Sequence, residues 1–291
     1  MGIEPIYLDH AATSPIWPDV LEAMMPYLTS EYGNPSSVYG PGRRAKHTLE
    51  KCRGRVAELL GVGPAEIVFT SGGSESNNAV CRQYTDLVIT SPVEHESVKE
   101  SVKRLPSSGM VIMVSPDATG RISPESVETA LYSDNRSSGG TGLASFMAVN
   151  NELGTINPIE EIGHVLARFG FRFHTDAVQA AGIMDLSHLA TCVDYMTLSG
   201  HKLGGPKGVG ALFVKAGAPW RSFIAGGSQE QERRAGTENV AGIVGFTRAL
   251  ERSVENRIAS VKKMRELRDQ LVGGLSSALS HQIRFNSPPG D

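Results

Sequence analysis

The 291-residue sequence is short of cysteine, of basic excess and of long apolar runs, and each shortage excludes something. Its three cysteines, Cys52, Cys81 and Cys192, are odd in number, far apart and in no Cys-x-x-Cys pair. That argues against a disulfide framework or a zinc site and for a reducing compartment. His164, His174 and His188 fit no metal-ligand spacing, so no metal is expected and the three read as structural or surface residues. Lys and Arg total 28 against 31 Asp and Glu, a formal charge of −3. Nothing electrostatic therefore argues for nucleic acid or an anionic membrane as a partner. The opening Met1-Gly2-Ile3-Glu4-Pro5 has no basic stretch followed by an apolar one, so no secretory signal is expected. Ile6 stands where a myristoylation motif needs Ser or Thr, and no apolar run approaches membrane-spanning length. A soluble, cytoplasmic protein is the expectation.

What is present is the composition of an ordinary α/β protein, 40% hydrophobic with 32 glycines. Short β-rich runs cover Glu66–Ser71, Leu87–Thr90, Met110–Val114, Leu143–Val149, Phe171–Asp176, Asp194–Ser199 and Gly210–Val214. They show little strict alternation, which predicts strands covered on both faces and a mostly parallel sheet between helices. The spacing predicts a helix over Asn157–Phe169, with Asn157 as cap, Pro158 in the first turn and Glu160 completing a capping box. Ile159, Ile162, Val165, Leu166 and Phe169 form its buried stripe. A long helical pattern runs from about Glu238 to Leu279. Within it, Lys262, Lys263, Arg265 and Arg268 interleave with Ile258, Val261, Met264, Leu267, Leu271 and Leu275, which reads as a solvated helix face rather than a basic patch. Ser133–Gly142 is low in complexity and short enough for a surface loop, and Pro288-Pro289-Gly290-Asp291 looks like a turn.

Three segments carry candidate chemistry. In Thr70-Ser71-Gly72-Gly73-Ser74-Glu75-Ser76-Asn77-Asn78 a strand runs through two glycines into a helix start. That pattern suits a phosphate cradle or a tight turn needing glycine for geometry alone. Without a following Gly-Lys-Ser/Thr it is not a Walker A loop. In His174-Thr175-Asp176-Ala177-Val178-Gln179 an Asp stands at the carboxyl end of a strand, where α/β proteins place ligands, although an N-cap would look the same. In Leu198-Ser199-Gly200-His201-Lys202-Leu203-Gly204-Gly205-Pro206-Lys207-Gly208 a strand delivers Lys202 into a glycine-rich turn. A poorly solvated lysine there favours the neutral amine that Schiff-base chemistry needs. Lys207 reads as an exposed loop lysine.

In this order the segments resemble the cysteine desulfurase family, within the class V aminotransferase group of enzymes that use pyridoxal 5′-phosphate (PLP). The likeness extends over the whole chain. It includes Tyr7-Leu8-Asp9-His10-Ala11-Ala12-Thr13, Gly33-Asn34-Pro35-Ser36-Ser37, Glu94-His95, Asn150-Asn151-Glu152-Leu153-Gly154 and Arg234-Ala235-Gly236-Thr237-Glu238-Asn239. The resemblance implies a fold-type I PLP-dependent transferase with a seven-stranded sheet. It implies catalytic roles for Lys202 as the cofactor-bearing lysine, His95 as the residue stacked on the ring and Asp176 as the partner of the pyridine nitrogen. Asn151 would bond the ring hydroxyl, with Gln179 beside it, and Gly73, Ser74, Ser199 and His201 would hold the phosphate. Thr237 resembles the residue that reaches a neighbouring subunit's phosphate, which implies a homodimer. L-cysteine, or L-selenocysteine in the closely similar selenocysteine lyases, would be the substrate, and a sulfur-acceptor or scaffold protein the partner.

The same resemblance divides the chain into an N-terminal arm (1–15), a PLP-binding large domain (16–245) and a connecting helix with the start of an incomplete small domain (246–291). Family members carry a persulfide-forming cysteine on a mobile loop of the small domain, and no cysteine follows Cys192 here. Cys52 shares a helical stripe with Leu49, Val56 and Leu59, and Cys192 leads into a strand, so both read as packing residues. Cys81 is less clear-cut. The expectation is a PLP-binding body that gives little or no persulfide by itself, and the alternative is a shortened protein that only binds PLP or dimerises.

Overall fold

The computed structural model describes residues 6–133, 142–279 and 282–287. Its seven strands are β1 (Ile67–Thr70), β2 (Leu87–Thr90), β3 (Met110–Met113), β4 (Leu143–Ser145), β5 (Arg172–Asp176), β6 (Tyr195–Ser199) and β7 (Gly210–Val214). They form one sheet in the order β1-β7-β6-β5-β4-β2-β3. Only β7 runs against its neighbours; the other pairs are parallel. All strands except β7 therefore end on the same edge. Except in the edge strand β3, the apolar runs lack alternation because both faces are buried. Ile67 and Phe69 enter one core and Val68 the other, and Leu87 and Ile89 are divided in the same way from Val88.

Helices supply both covers. They are α1 (Pro18–Thr29), α2 (Gly40–Leu60), α3 (Gly73–Cys81), α4 (Glu96–Val102), α5 (Pro124–Ser133), α6 (Ile159–Arg168), α7 (Leu186–Cys192) and α8 (Val240–Leu279). Val80 and Cys81 of α3 with Val98 and Val102 of α4 close the smaller core. The larger core receives Leu49, Cys52, Val56 and Leu60 of α2, which recur at helical spacing, and Ile243, Phe246 and Leu250 of α8. Phe69 of β1 meets Phe246 edge-on with ring centroids 6.4 Å apart, an arrangement worth about 0.5–1.5 kcal/mol beyond the area buried.

The structure departs from the sequence reading at three places. Helix α6 begins at Ile159 rather than Asn157, and its cap position, Pro158, makes no side-chain cap bond. Asn157 is buried, so its amide serves buried backbone instead: Oδ1 accepts from the Ile122 N–H and Nδ2 donates to the Met147 carbonyl, both at 2.8 Å. The stripe Ile159, Ile162, Val165 and Leu166 is buried as expected, whereas Phe169, expected in it, is the C-cap and only partly buried. Second, the run expected as strand to Val149 leaves the ladder after Ser145. Beyond it the chain keeps its backbone bonds to the β5 side, through Phe146 N–H to His174 O and Ala148 N–H to Asp176 O, while its other edge bonds to Asn157 and Glu94. Third, α8 packs on the body only through its first turns. Buried positions stop at Leu250, and Ile258 (80% exposed) and Leu271 (62%) lie on a face that the described residues leave open, beside the solvated lysines and arginines. The stretch from residue 134 to 141 and the turn at 288–291 lie outside the described residues.

Candidate active site

Five parallel strands end on one edge, and each hands the chain to a segment carrying one of the singled-out side chains. β1 leads to Gly73 and Ser74, β2 to His95, β4 to Asn151, β5 to Asp176 and β6 to Lys202. Carboxyl ends of parallel strands are where such sheets leave a crevice. A cavity of about 460 Å³ lies there, lined by Gly73, Ser74, His95, Asn151, Asp176, Gln179, Ser199, His201 and Lys202 among others. Nine of the ten sequence-selected site residues thus meet at one place. Thr237 does not; it is exposed, in the turn that follows Gly236, outside that lining.

Asp176 forms the polar floor. It is buried, and its Oδ2 accepts from Asn77 Nδ2 at 2.7 Å while Oδ1 accepts from the Val178 N–H at 3.0 Å. Burial raises its carboxyl above the usual range, against the opposing pull of those two donors, His95 and Lys202. Lys202 follows β6 in a single 3-10 turn, Gly200–Lys202. Its Nζ donates to the carbonyls of Ala11 and Ala12, the latter at 2.8 Å. Burial lowers its ammonium below the usual lysine range, and the carboxylates of Asp176, Asp9 and Glu152 only partly restore it. A lysine weakened in this way is a better nucleophile near neutral pH.

The N-terminal segment closes over this floor. Gln179 Nε2 donates to the Ala11 carbonyl at 3.0 Å, His201 Nδ1 lies 3.2 Å from Thr13 Oγ1, and Ser14 Oγ donates to the His201 carbonyl at 2.9 Å. Burial, with Lys202 and Lys207 nearby, lowers the His201 imidazole below its ordinary range. At the other end Gly72 adopts φ 139°, a conformation open to glycine, and swings the chain from β1 into α3. The first turn of α3 presents backbone N–H groups without helical partners. A second cavity of about 410 Å³ opens over Gly72, Gly73 and Ser74 and is lined also by Thr13, His201 and Lys207. Lys207 is exposed, as expected, yet stands at this rim. Asn151 Nδ2 donates to Glu152 Oε1 at 2.8 Å.

Sequence reasoning missed the residues that hold the site residues. Asn77 and Ser97 join Asp176 to His95, and Glu94 anchors the segment before α4 to the end of β4. Glu94 Oε1 accepts from Ser91 Oγ at 2.9 Å and from the Met147 N–H at 3.1 Å. Burial pushes its carboxyl up to about 8. Asn77 and Glu94 both sit inside the quoted motifs, so proximity to a motif was the available signal. Of the cysteines, Cys52 and Cys81 are buried and Cys192 is partly exposed. Burial pushes the Cys81 thiol up to about 12, which makes it a poor nucleophile. None of the three lines either cavity described above.

Comparison with known proteins agrees with this geometry. The aminotransferase class-V family pattern matches residues 6–289. The cysteine desulfurase IscS of Dictyoglomus turgidum is 39% identical over 291 residues, covering 97% of this chain and 72% of the relative. A solved NifS-like protein superposes with a TM-score of 0.89 at 39% identity, over 97% of this chain and 78% of its own. A structure described as SspA in complex with cysteine gives 0.78 at 39% identity, over 85% and 72%. The chain belongs to the class-V aminotransferase family, on its cysteine desulfurase branch.

Proposed function

We propose that this chain is the PLP-binding body of a cysteine desulfurase, taking L-cysteine to L-alanine, with Lys202 holding the cofactor. The observation that carries the reading is the meeting of Asp176 and Lys202, from adjacent parallel strand ends, over the cavity that Gly73 and Ser74 also line. The residues fit the group. A Cβ on Gly73 would lie 3.1 Å from Val178 Cγ2, so the cradle leaves its backbone bare for a phosphate, at a helix start with free donors. A buried carboxylate with two fixed donors fits a protonated pyridine nitrogen, which would restore the charged form that burial alone disfavours.

When bound, PLP supplies an electron sink for charge developing at the substrate α-carbon. The rest is work for the protein's own side chains. Asp176 keeps the ring nitrogen protonated, and Asn77 with the Val178 N–H keeps Asp176 in place. Lys202 Nζ, with its lowered affinity for a proton, takes and returns protons at the α-carbon. His95 would lie against the ring, Asn151 and Gln179 would bond its hydroxyl, and Ser74, Ser199 and His201 would hold the phosphate. Exposed Thr237, outside the cavity of its own chain, is assigned to the partner's phosphate in a homodimer. Residues 16–245 serve as the cofactor body and 246–291 as the connection to a small domain. A sulfur-accepting protein completes the reaction.

Titration of the purified protein with PLP is expected to give a visible absorption band. The Asp176→Ala variant is expected to keep a band but to lose at least tenfold in exchange of the cysteine α-hydrogen in deuterated water. Undiminished exchange would contradict the role of Asp176.

A further inference from the structure

His95 has two ring nitrogens, and the structure treats them differently. Nδ1 faces α4, where the Ser97 N–H donates to it at 3.1 Å and Ser97 Oγ lies 2.7 Å away. Nε2 makes no hydrogen bond to any described residue, and the ring lines the cavity. The backbone N–H can only donate, so Nδ1 must be the acceptor. The direction of the Ser97 hydroxyl then follows from the far end of the chain. Asn77 Nδ2 sits 2.7 Å from Asp176 Oδ2 and 2.8 Å from Ser97 Oγ, so its two hydrogens are both used. Ser97 Oγ accepts from Asn77 and has its own proton free for His95 Nδ1.

The orientation of Asn77 is itself determined. Reversing the amide would set Oδ1 against the Asp176 carboxylate. As oriented, Oδ1 is buried with no partner among the described residues. Reversal would also place Nδ2 at that unpartnered position, where a buried polar group costs about 1–3 kcal/mol as well, so the two donations fix the amide.

We propose that the chain Asp176–Asn77–Ser97–His95 is a positioning relay that fixes neutral His95 as its Nε2–H tautomer. The inference deepens the reading of the cavity given above, because it determines what His95 shows to whatever occupies that cavity. The ring presents a hydrogen-bond donor there; an Nδ1–H form would lose the bond from the Ser97 N–H and displace the Ser97 hydroxyl proton from Nδ1. Ser97 and Asn77 also line the cavity, but their hydrogen bonds to one another, to His95 and to Asp176 make them positioning residues.

The tautomer is readable in the protein without cofactor, by two-bond nitrogen–proton correlation spectra of the histidine rings. The expected result for His95 is an unprotonated Nδ1 and a protonated Nε2. Ser97→Ala removes one of the two donors to Nδ1, and the tautomer ratio should fall about fivefold, the equilibrium weight of one ordinary hydrogen bond. Ser97→Thr keeps the hydroxyl and should retain the wild-type ratio, which separates the relay from a packing effect. An Nδ1–H tautomer in the wild type, or a ratio unmoved in Ser97→Ala, would overturn the proposal. Should the Ser97 variants not fold, the wild-type spectrum alone decides. A protein with the expected tautomer but no visible band on PLP addition would overturn the cofactor reading and leave the relay standing.

Discussion

Arg53 and Asp176 are both charged side chains buried against the same sheet, and their surroundings are built differently. Arg53, on α2, has all three guanidinium nitrogens engaged. Its Nη1 and Nη2 meet Glu230 at 2.8 Å each, Nη1 also reaches the Ile67 carbonyl at 2.9 Å, and Nε meets Glu50 at 3.2 Å. Glu230 accepts from the Phe69 N–H as well, at 2.8 Å. Around Asp176 the accounts do not close: Asn77 Oδ1 and Glu94 Oε2 are buried without partners among the described residues. The first cluster ties the segment before α8 to β1, and the second leaves polar groups aimed and underused beside a cavity. Fully bonded networks rigidify a fold, whereas a buried polar group without a partner calls for an explanation, and beside this cavity a bound group supplies one.

The sharpest way to break this contrast is to remove one member of the saturated pair. Arg53→Met strands the Glu230 carboxylate in the core and is expected to lower the unfolding free energy by about 3–5 kcal/mol, measured by urea denaturation. The double variant Arg53→Met, Glu230→Leu should recover most of that loss, since a charge pair and an apolar pair of similar volume come out nearly even. A double variant no more stable than the single would show that the pair contributes more than mutual neutralisation.

Glu94 sharpens the other side. Its carboxyl titrates near 8 in the folded protein against 4.5 for an ordinary glutamate. Because the folded value is the higher, the folded state holds the proton longer, and stability falls as pH rises from about 4.5 to about 8. Burial is the main cause, with the charge of Asp176 adding to it and the Ser91, Met147 and Lys99 groups opposing. Glu94→Gln cannot ionise. Its stability relative to the wild type should therefore improve with pH across that window, on the order of a few kcal/mol at the alkaline end. Parallel stability–pH curves for the two proteins would contradict the assignment.

A smaller effect is expected at the turn that Glu230 anchors. Glu230, Gln231 and Glu232 have φ of 48°, 57° and 64°, three consecutive non-glycine residues in left-handed backbone. Each such residue costs about 1–3 kcal/mol unless its surroundings insist on it, and Arg53 insists on Glu230 alone. Glu232 is exposed, so Glu232→Gly should stabilise by about 1 kcal/mol, visible as a raised melting temperature.

These clusters also show what the sequence could and could not disclose. Strands such as Leu87–Thr90 and Gly210–Val214 were legible to the residue, because a short apolar run between turn residues has few other uses. The gathering of His95, Asn151, Asp176 and Lys202 was legible through motif order, since each stands at or beyond the end of a strand that the parallel sheet ends on one edge. The supporting contacts were not. Asn77 meets Asp176 across 99 positions and Arg53 meets Glu230 across 177, and no period in the chain encodes such a pairing. Asn157 carried a cap signature that tertiary burial overrode. Local pattern thus located the reacting groups, and long-range packing decided what holds them.

The most direct test of the account is to find where the cofactor attaches. The protein loaded with PLP is reduced with borohydride, digested, and the pyridoxyl-bearing peptide sequenced. The label is expected on Lys202, beyond the end of β6 and beside Asp176, and none on Lys207 at the rim of the second cavity. Recovery of the label on Lys207, or its persistence in a Lys202→Ala variant, would contradict it.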